Sequence, residues 1–171
     1  MQEIRSLGVI GAGAWGTALA KHLAEKGLEI RLWAHEPEVV DSINTTHENR
    51  VFLPAVSLPR TLIATTSLTE AIEERDGILF VVPSHVTRLV LRKMAPCLPH
   101  PIPLISATKG VEEDSSKLMT QIMDEVLPES MAQYLMALSG PSFASELSAG
   151  KPTAVCLAGR DAQLVARFQT A

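Results

Sequence analysis

The chain has 171 residues, of which 46% are hydrophobic and 20% charged, with a net charge of −4. A chain of this size and composition can bury a sizeable core as one domain, residues 1–171, which argues against disorder, collagen-like repeats and a disulfide scaffold. Its mildly acidic balance offers no basic patch for nucleic acid.

The N-terminal stretch Met1–Arg5 does not read as a secretory signal. Ile4 to Ile10 reads as a short buried strand that runs into Gly11-Ala12-Gly13-Ala14-Trp15-Gly16. Ala18, Leu19 and Leu23 then recur at helical spacing, predicting a helix over Trp15–Lys26 that stops at Gly27. Leu28–Trp33 is the second strand, and Pro37 opens a helix with Val39, Val40 and Ile43 on its apolar side. Asn44–Arg60 has no period, carries Pro54 and Pro59, and reads as a long loop of the kind that is often functional.

A third strand is expected at Leu62–Ala64, then a helix from Ser67 to Arg75 with Ser67 and Glu70 spaced as a capping box. Gly77–Val82 is apolar throughout, as in a parallel strand covered on both faces. Pro83-Ser84 breaks it, and a helix follows to Met94. Further strands are expected at Pro101–Ser106, Tyr134–Ser139 and Thr153–Ala158. Helices are expected at Ser115–Val126, from Gly140-Pro141-Ser142 to Ala149, and from Asp161 onward. No stretch approaches the roughly 20 apolar residues of a membrane helix, so no membrane insertion is expected.

Alternating strands and helices imply an α/β fold with a mainly parallel sheet and helices on both faces. Gly11, Gly13 and Gly16 follow a strand and open a helix, the context in which G-x-G-x-x-G binds a dinucleotide. Gly11 serves the tight turn, Gly13 the approach of a pyrophosphate, and Gly16 close packing of helix on strand. The expected architecture is therefore Rossmann-like and doubly wound. The second strand ends Leu32-Trp33-Ala34-His35-Glu36, with no carboxylate at its tip, and Arg31 and His35 lie nearby. That favours NADP over NAD as cofactor, because a carboxylate there selects the free ribose 2′-hydroxyl.

Three more segments fall at strand ends: Pro83-Ser84-His85, Ala107-Thr108-Lys109-Gly110, and Ser139-Gly140-Pro141-Ser142-Phe143-Ala144. Together they offer a cation, hydroxyls and backbone N–H groups, equipment for a small phosphorylated or carboxylated substrate. His22, His47 and His100 form no metal-ligand spacing with Cys97 and Cys156, so no metal is expected. The two cysteines read as free packing thiols in a reducing, cytoplasmic setting.

The run Gly11-Ala12-Gly13-Ala14-Trp15-Gly16-Thr17-Ala18-Leu19-Ala20 resembles the bacterial NAD(P)-dependent glycerol-3-phosphate dehydrogenases. Asn49-Arg50-Val51-Phe52-Leu53-Pro54, Val81-Val82-Pro83-Ser84-His85, Ala107-Thr108-Lys109-Gly110-Val111-Glu112 and Ser139–Leu147 agree in order along the whole chain. Ala55 departs from the glycine that the family often carries after Leu-Pro. The resemblance implies reversible hydride transfer between sn-glycerol 3-phosphate and dihydroxyacetone phosphate, feeding glycerophospholipid synthesis. By position it implies that Ala14, Trp15, His35, Phe52 and Ala144 contact the cofactor. Lys109 would touch cofactor and substrate, and Gly140 and Ser142 the substrate. The family's catalytic lysine would lie beyond Ala171 on a helical domain, so no catalytic residue is assigned here, and the 171-residue chain is expected to bind cofactor with little turnover. The whole protein could form a homodimer. Two alternatives stay open: a non-catalytic NAD(P)H-sensing domain, or another β-hydroxyacid dehydrogenase.

Overall fold

Ser6–Ile10 (β1) is buried along its whole length because it lies at the middle of a sheet. The computed structural model describes residues 3–170; Met1 and Gln2, part of the N-terminal stretch read above, and Ala171 lie outside the described residues. Helix α1 (Ala14–Glu25) follows β1, and strand β2 (Glu29–Trp33) returns beside it. Between them the Gly27 and Leu28 N–H groups donate back to the Ala24 and Leu23 carbonyls, which ends α1 in a Schellman turn. Helix α2 (Pro37–Thr46) runs three residues further than its apolar pattern suggests. The Thr45 and Thr46 hydroxyls donate to the Asp41 and Ser42 carbonyls, so polar residues complete the last turn.

The segment expected to be a featureless loop instead holds a small antiparallel hairpin, β3 (Glu48–Asn49) and β4 (Leu53–Ser57). Its strands are short and largely exposed, with Leu53 as the buried side chain of β4, so no alternation marks it in the sequence. Strand β5 (Ile63–Thr65) and helix α3 (Leu68–Ile72) follow. Ser67 caps α3 by accepting from the Glu70 N–H, but the reciprocal half of the capping box is relayed: Thr65 Oγ1 accepts from the Ser67 N–H and donates to Glu70. The helix stops short of Arg75 because Glu74 turns the chain with φ 57°.

Strand β6 (Gly77–Phe80) leads through a 3-10 turn into α4 (Thr87–Met94), then β7 (Leu104–Ser106). Helix α5 (Met119–Val126) starts four residues later than expected, because Glu112–Lys117 closes its own hydrogen-bonded turn with Ser116 at φ 55°. Strand β8 (Leu135–Ser139), helix α6 (Ala144–Ser148), strand β9 (Cys156–Gly159) and helix α7 (Ala162–Gln169) complete the chain. The expected strand at Thr153–Ala158 slides toward the C-terminus, since Ser139 pairs Cys156 and β8 offers no partner beyond it.

The seven strands lie in the order β5-β2-β1-β6-β7-β8-β9, all parallel except β9, which runs antiparallel to β8. Alternate strand residues feed two cores. Val9, Leu79 and Ile105 point to the layer formed by α1, α2, α6 and α7, while Ile10, Phe80 and Leu104 point to that of α3, α4 and α5. Cys97 is half-buried and Cys156 exposed; both are free thiols, so the reading of Cys156 as a packing residue is corrected: it sits on the edge strand.

Gly11 takes φ 118°, and a Cβ on it would meet the Val81 carbonyl oxygen at 2.4 Å. A Cβ on Gly16 would lie 1.9 Å from the Gly11 carbonyl oxygen, so helix and turn touch backbone to backbone. Gly16→Ala should therefore destabilise the domain by about 2 kcal/mol or more, read from urea unfolding, because α1 must lift off the turn.

Candidate functional site

The sheet order reverses between β1 and β6: successive connections from β1 build one way through β2 and β5, and those from β6 the other way through β7 and β8. A crevice must open beyond the carboxyl ends of strands at such a point. Gly11–Gly13 leaves β1 there and Val81-Val82-Pro83 leaves β6, and between them they border two adjoining cavities.

The first cavity, of about 340 Å³, brings Gly13, Ala14, Trp15, Gly16, Lys109, Ser142 and Ala144 together. Helix α1 points its N-terminus at it. Gly13 is the N-cap, no side chain caps the helix, and its first turn holds no acidic residue. The N–H groups of that turn are thus available to an anion, reinforced by the helix dipole. A Cβ on Gly13 would meet no atom within 4 Å, so open space lies against its backbone.

Lys109 reaches in from the β7 side. Its Nζ donates to the Gly140 and Ser142 carbonyl oxygens at 3.3 Å each and to Ser142 Oγ at 3.5 Å, and it lies 5.6 Å from the centroid of the Trp15 ring. These partners are neutral, and among the described residues no carboxylate pairs with this ammonium. The contact with the Gly140 carbonyl brings that residue to the same site, although Gly140 itself does not line the cavity.

The second cavity, of about 280 Å³, lies on the β2 side of the glycine turn and is mostly apolar. His35 and Phe52 line it, with Gly11 and Gly13 on its floor. His35, His85, Lys93 and Glu36 are the ionisable groups that line it. Arg31 is not among the lining residues: it sits inside β2, in register with Gly8 and Ile63, which corrects its reading as a neighbour of the cofactor ribose. Lys93 escaped the sequence reading. The signal was present, since Val86, Leu89, Val90 and Lys93 follow helical spacing, but nothing in the sequence alone says that this face of α4 borders the crevice. Among the described residues no cluster of His, Cys, Asp and Glu could hold a metal, and no helix is long and apolar enough to cross a membrane.

The Lys109 loop is braced from behind. Arg88 on α4 donates through Nε and an Nη to both oxygens of Glu112 at 2.8 Å, and to Glu125 on α5 at 2.9 Å. Lys117 also pairs with Glu125. Arg88, aided by the Ser115 hydroxyl, holds the Glu112 carboxyl down from the ordinary 4.5 to about 2. Glu125 is lowered too, first by Lys117 and then by Arg88.

A parallel sheet in this order, with an uncapped glycine turn at its reversal, defines a Rossmann-like dinucleotide-binding domain. The comparisons identify which one. Residues 6–165 match the family described as NAD-dependent glycerol-3-phosphate dehydrogenase N-terminus, and the chain belongs to that family. It is 45% identical over 163 residues to a glycerol-3-phosphate dehydrogenase (NAD(P)+) of Geobacter metallireducens, covering 95% of this chain and 49% of that protein. The enzyme of the same name from Bacillus cereus strain B4264 is 42% identical over 152 residues, covering 89% of this chain and 45% of its own. The crystal structure of glycerol-3-phosphate dehydrogenase from Coxiella burnetii superposes with a TM-score of 0.86 at 34% identity, over 96% of this chain and 50% of that one. The chain thus spans about half the length of the relatives it matches.

The brace has a pH signature. Glu112 has a folded-state pKa below its ordinary value, so its contribution is complete above pH 4.5 and is lost as pH falls toward 2. The melting temperature of the wild type should therefore drop more steeply across that interval than that of Glu112→Gln. Arg88→Gln should also speed cleavage after Glu113 by a glutamate-specific protease at neutral pH, by about tenfold if the turn opens as a unit.

Proposed function

We propose that this chain is the cofactor-binding half of an oxidoreductase that interconverts sn-glycerol 3-phosphate and dihydroxyacetone phosphate, as the names of its relatives suggest. The observation that carries the reading is the uncapped N-terminus of α1 facing Lys109, whose charge no carboxylate among the described residues answers, across one crevice. The residues present fit a nicotinamide dinucleotide. Open space beside Gly13 leaves room for a pyrophosphate where a side chain would intrude. When bound, NAD(P) supplies the hydride acceptor or donor for the carbinol or ketone carbon of the substrate.

The α1 N–H groups bind and orient the pyrophosphate. Trp15 and Ala144 border the cavity on the Lys109 side, where the reacting carbon would be held. Lys109, Gly140 and Ser142 form one wall: the ammonium is already fixed by two carbonyl oxygens and can turn to a phosphate or carbonyl oxygen of the substrate with little reorganisation. His35 and Phe52 flank the adenosine end. Three lining groups that can carry positive charge, His35, His85 and Lys93, against the single carboxylate of Glu36, favour a 2′-phosphate and hence NADP(H). The substrate is small and phosphorylated, and the free thiols Cys97 and Cys156 suit a cytoplasmic setting.

Titrating the fluorescence of Trp15 and Trp33 in the 171-residue chain tests the reading. NADPH and NADH should both bind, NADPH more tightly, and Lys93→Ala should narrow the gap. Gly13→Ala should leave urea stability within about 0.5 kcal/mol of wild type, since its Cβ meets nothing, yet weaken both ligands by tenfold or more. Unchanged fluorescence with either dinucleotide would sink the proposal. Steady oxidation of NADPH by dihydroxyacetone phosphate with this chain alone would overturn the expectation of little turnover.

A further inference from the structure

The two cavities have walls from different parts of the chain. The glycine turn belongs to β1 and α1, whereas Phe52 stands, at 39% exposure, on the loop between β3 and β4, which pair in a two-stranded sheet of their own. One side chain joins them. Asn49 is fully buried, yet polar. Its Nδ2 donates to the Ala12 carbonyl oxygen at 2.8 Å and to Thr17 Oγ1 at 2.8 Å, and its Oδ1 accepts from the Phe52 N–H at 3.0 Å. Thr17, also fully buried, donates its hydroxyl proton to the same Ala12 carbonyl at 3.1 Å.

Every proton in this group has a destination. The amide supplies two donors, one to Ala12 and one to Thr17, and its oxygen faces a backbone N–H that can only donate. The orientation of the amide is therefore fixed by its backbone partners. A closed buried network of this kind has no slack, because losing one member leaves another polar group unpaired away from water. Asn49 lies 37 residues from Ala12 and three from Phe52, so it fastens the turn between Gly11 and Gly13 to the segment that presents the Phe52 ring.

We infer that Asn49, with Thr17 behind it, is a positioning residue for the dinucleotide: it makes the glycine turn and the Phe52 loop move as one body, so both walls of the adenosine-side cavity are preset before ligand arrives. The inference rests on the cofactor reading above. Asn49 touches neither cavity itself and acts through Phe52 and Ala12.

A double-mutant cycle in the 171-residue chain tests it, with NADPH affinity read by tryptophan fluorescence below the melting temperature of each variant. Asn49→Ala should weaken NADPH about tenfold while the chain still melts cooperatively. In a Phe52→Ala background that loss should shrink to about twofold or less, because the ring that Asn49 holds in place is gone. An unchanged affinity, or the same fold loss with and without Phe52, would overturn the inference, since a purely structural asparagine gives additive effects. If Asn49→Ala does not fold, the same cycle is run with Thr17→Val, which leaves one amide proton unpaired. Thr17→Ser keeps the hydroxyl and should stay within about twofold of wild type. A wild-type chain that binds neither dinucleotide overturns the cofactor reading instead. The bracket is then judged by hydrogen exchange in the free chain, where Thr17→Val or Asn49→Ala must release the Phe52 amide about tenfold faster, and unchanged exchange refutes it.

Discussion

Everything at the site depends on how closely α1 can cross the end of β1. Backbone meets backbone at Gly16 and Gly11, and that contact fixes where the helix begins. A side chain at either position would push the helix N-terminus away from the sheet. Its free N–H groups would then point past the crevice rather than into it. The contact also lets Val81, at the end of β6, lie directly against the turn, so the two central strands open the crevice from both sides.

The rest of the architecture serves that point. The inner strands β1, β6 and β7 send alternate side chains into separate cores, one under the helices of each face. Lys109 reaches the crevice from the edge of β7, His35 from β2, and Ser142 from the turn after β8. None of these groups lies on a mobile tail; each follows a buried strand within a few residues. The loop carrying Lys109 gains an anchor outside the sheet from the Arg88–Glu112 pair.

The central elements were legible because they carry periods and punctuation. The apolar run at 77–82, the helix ended by Gly27 and the glycine turn all announce themselves, as does the alternation that implies a parallel sheet. The hairpin at 48–57 was not legible. Its strands are too short for a period, and Ala55 takes a left-handed φ of 62° in a residue type that gives no warning of it. Asn49 was hidden for a related reason: an asparagine in a polar stretch reads as surface, and only folding shows it to be fully buried. Lys93 required knowing which face of α4 borders the crevice. Phe52 came from family resemblance rather than from pattern, since an aromatic in a loop carries no chemistry by spacing alone, whereas His35 stood out by its place just past the second strand.

The central pairing of β1 with β6 has a consequence for how the chain is made. Leu7 pairs with Gly77, and at the same end Asp76 accepts from the N–H groups of Arg5 and Ser6. During synthesis, one flank of β1 therefore waits until residues some 70 positions later emerge. At ribosomal rates of 5–20 residues per second that wait is roughly 4–14 s. Through it the nascent chain presents an apolar strand with one open edge, the form most prone to pair with a stranger. The half built from β1, β2 and β5 is thus a stage at which a chaperone has an apolar edge to protect, and that edge is covered only once β6 closes the gap.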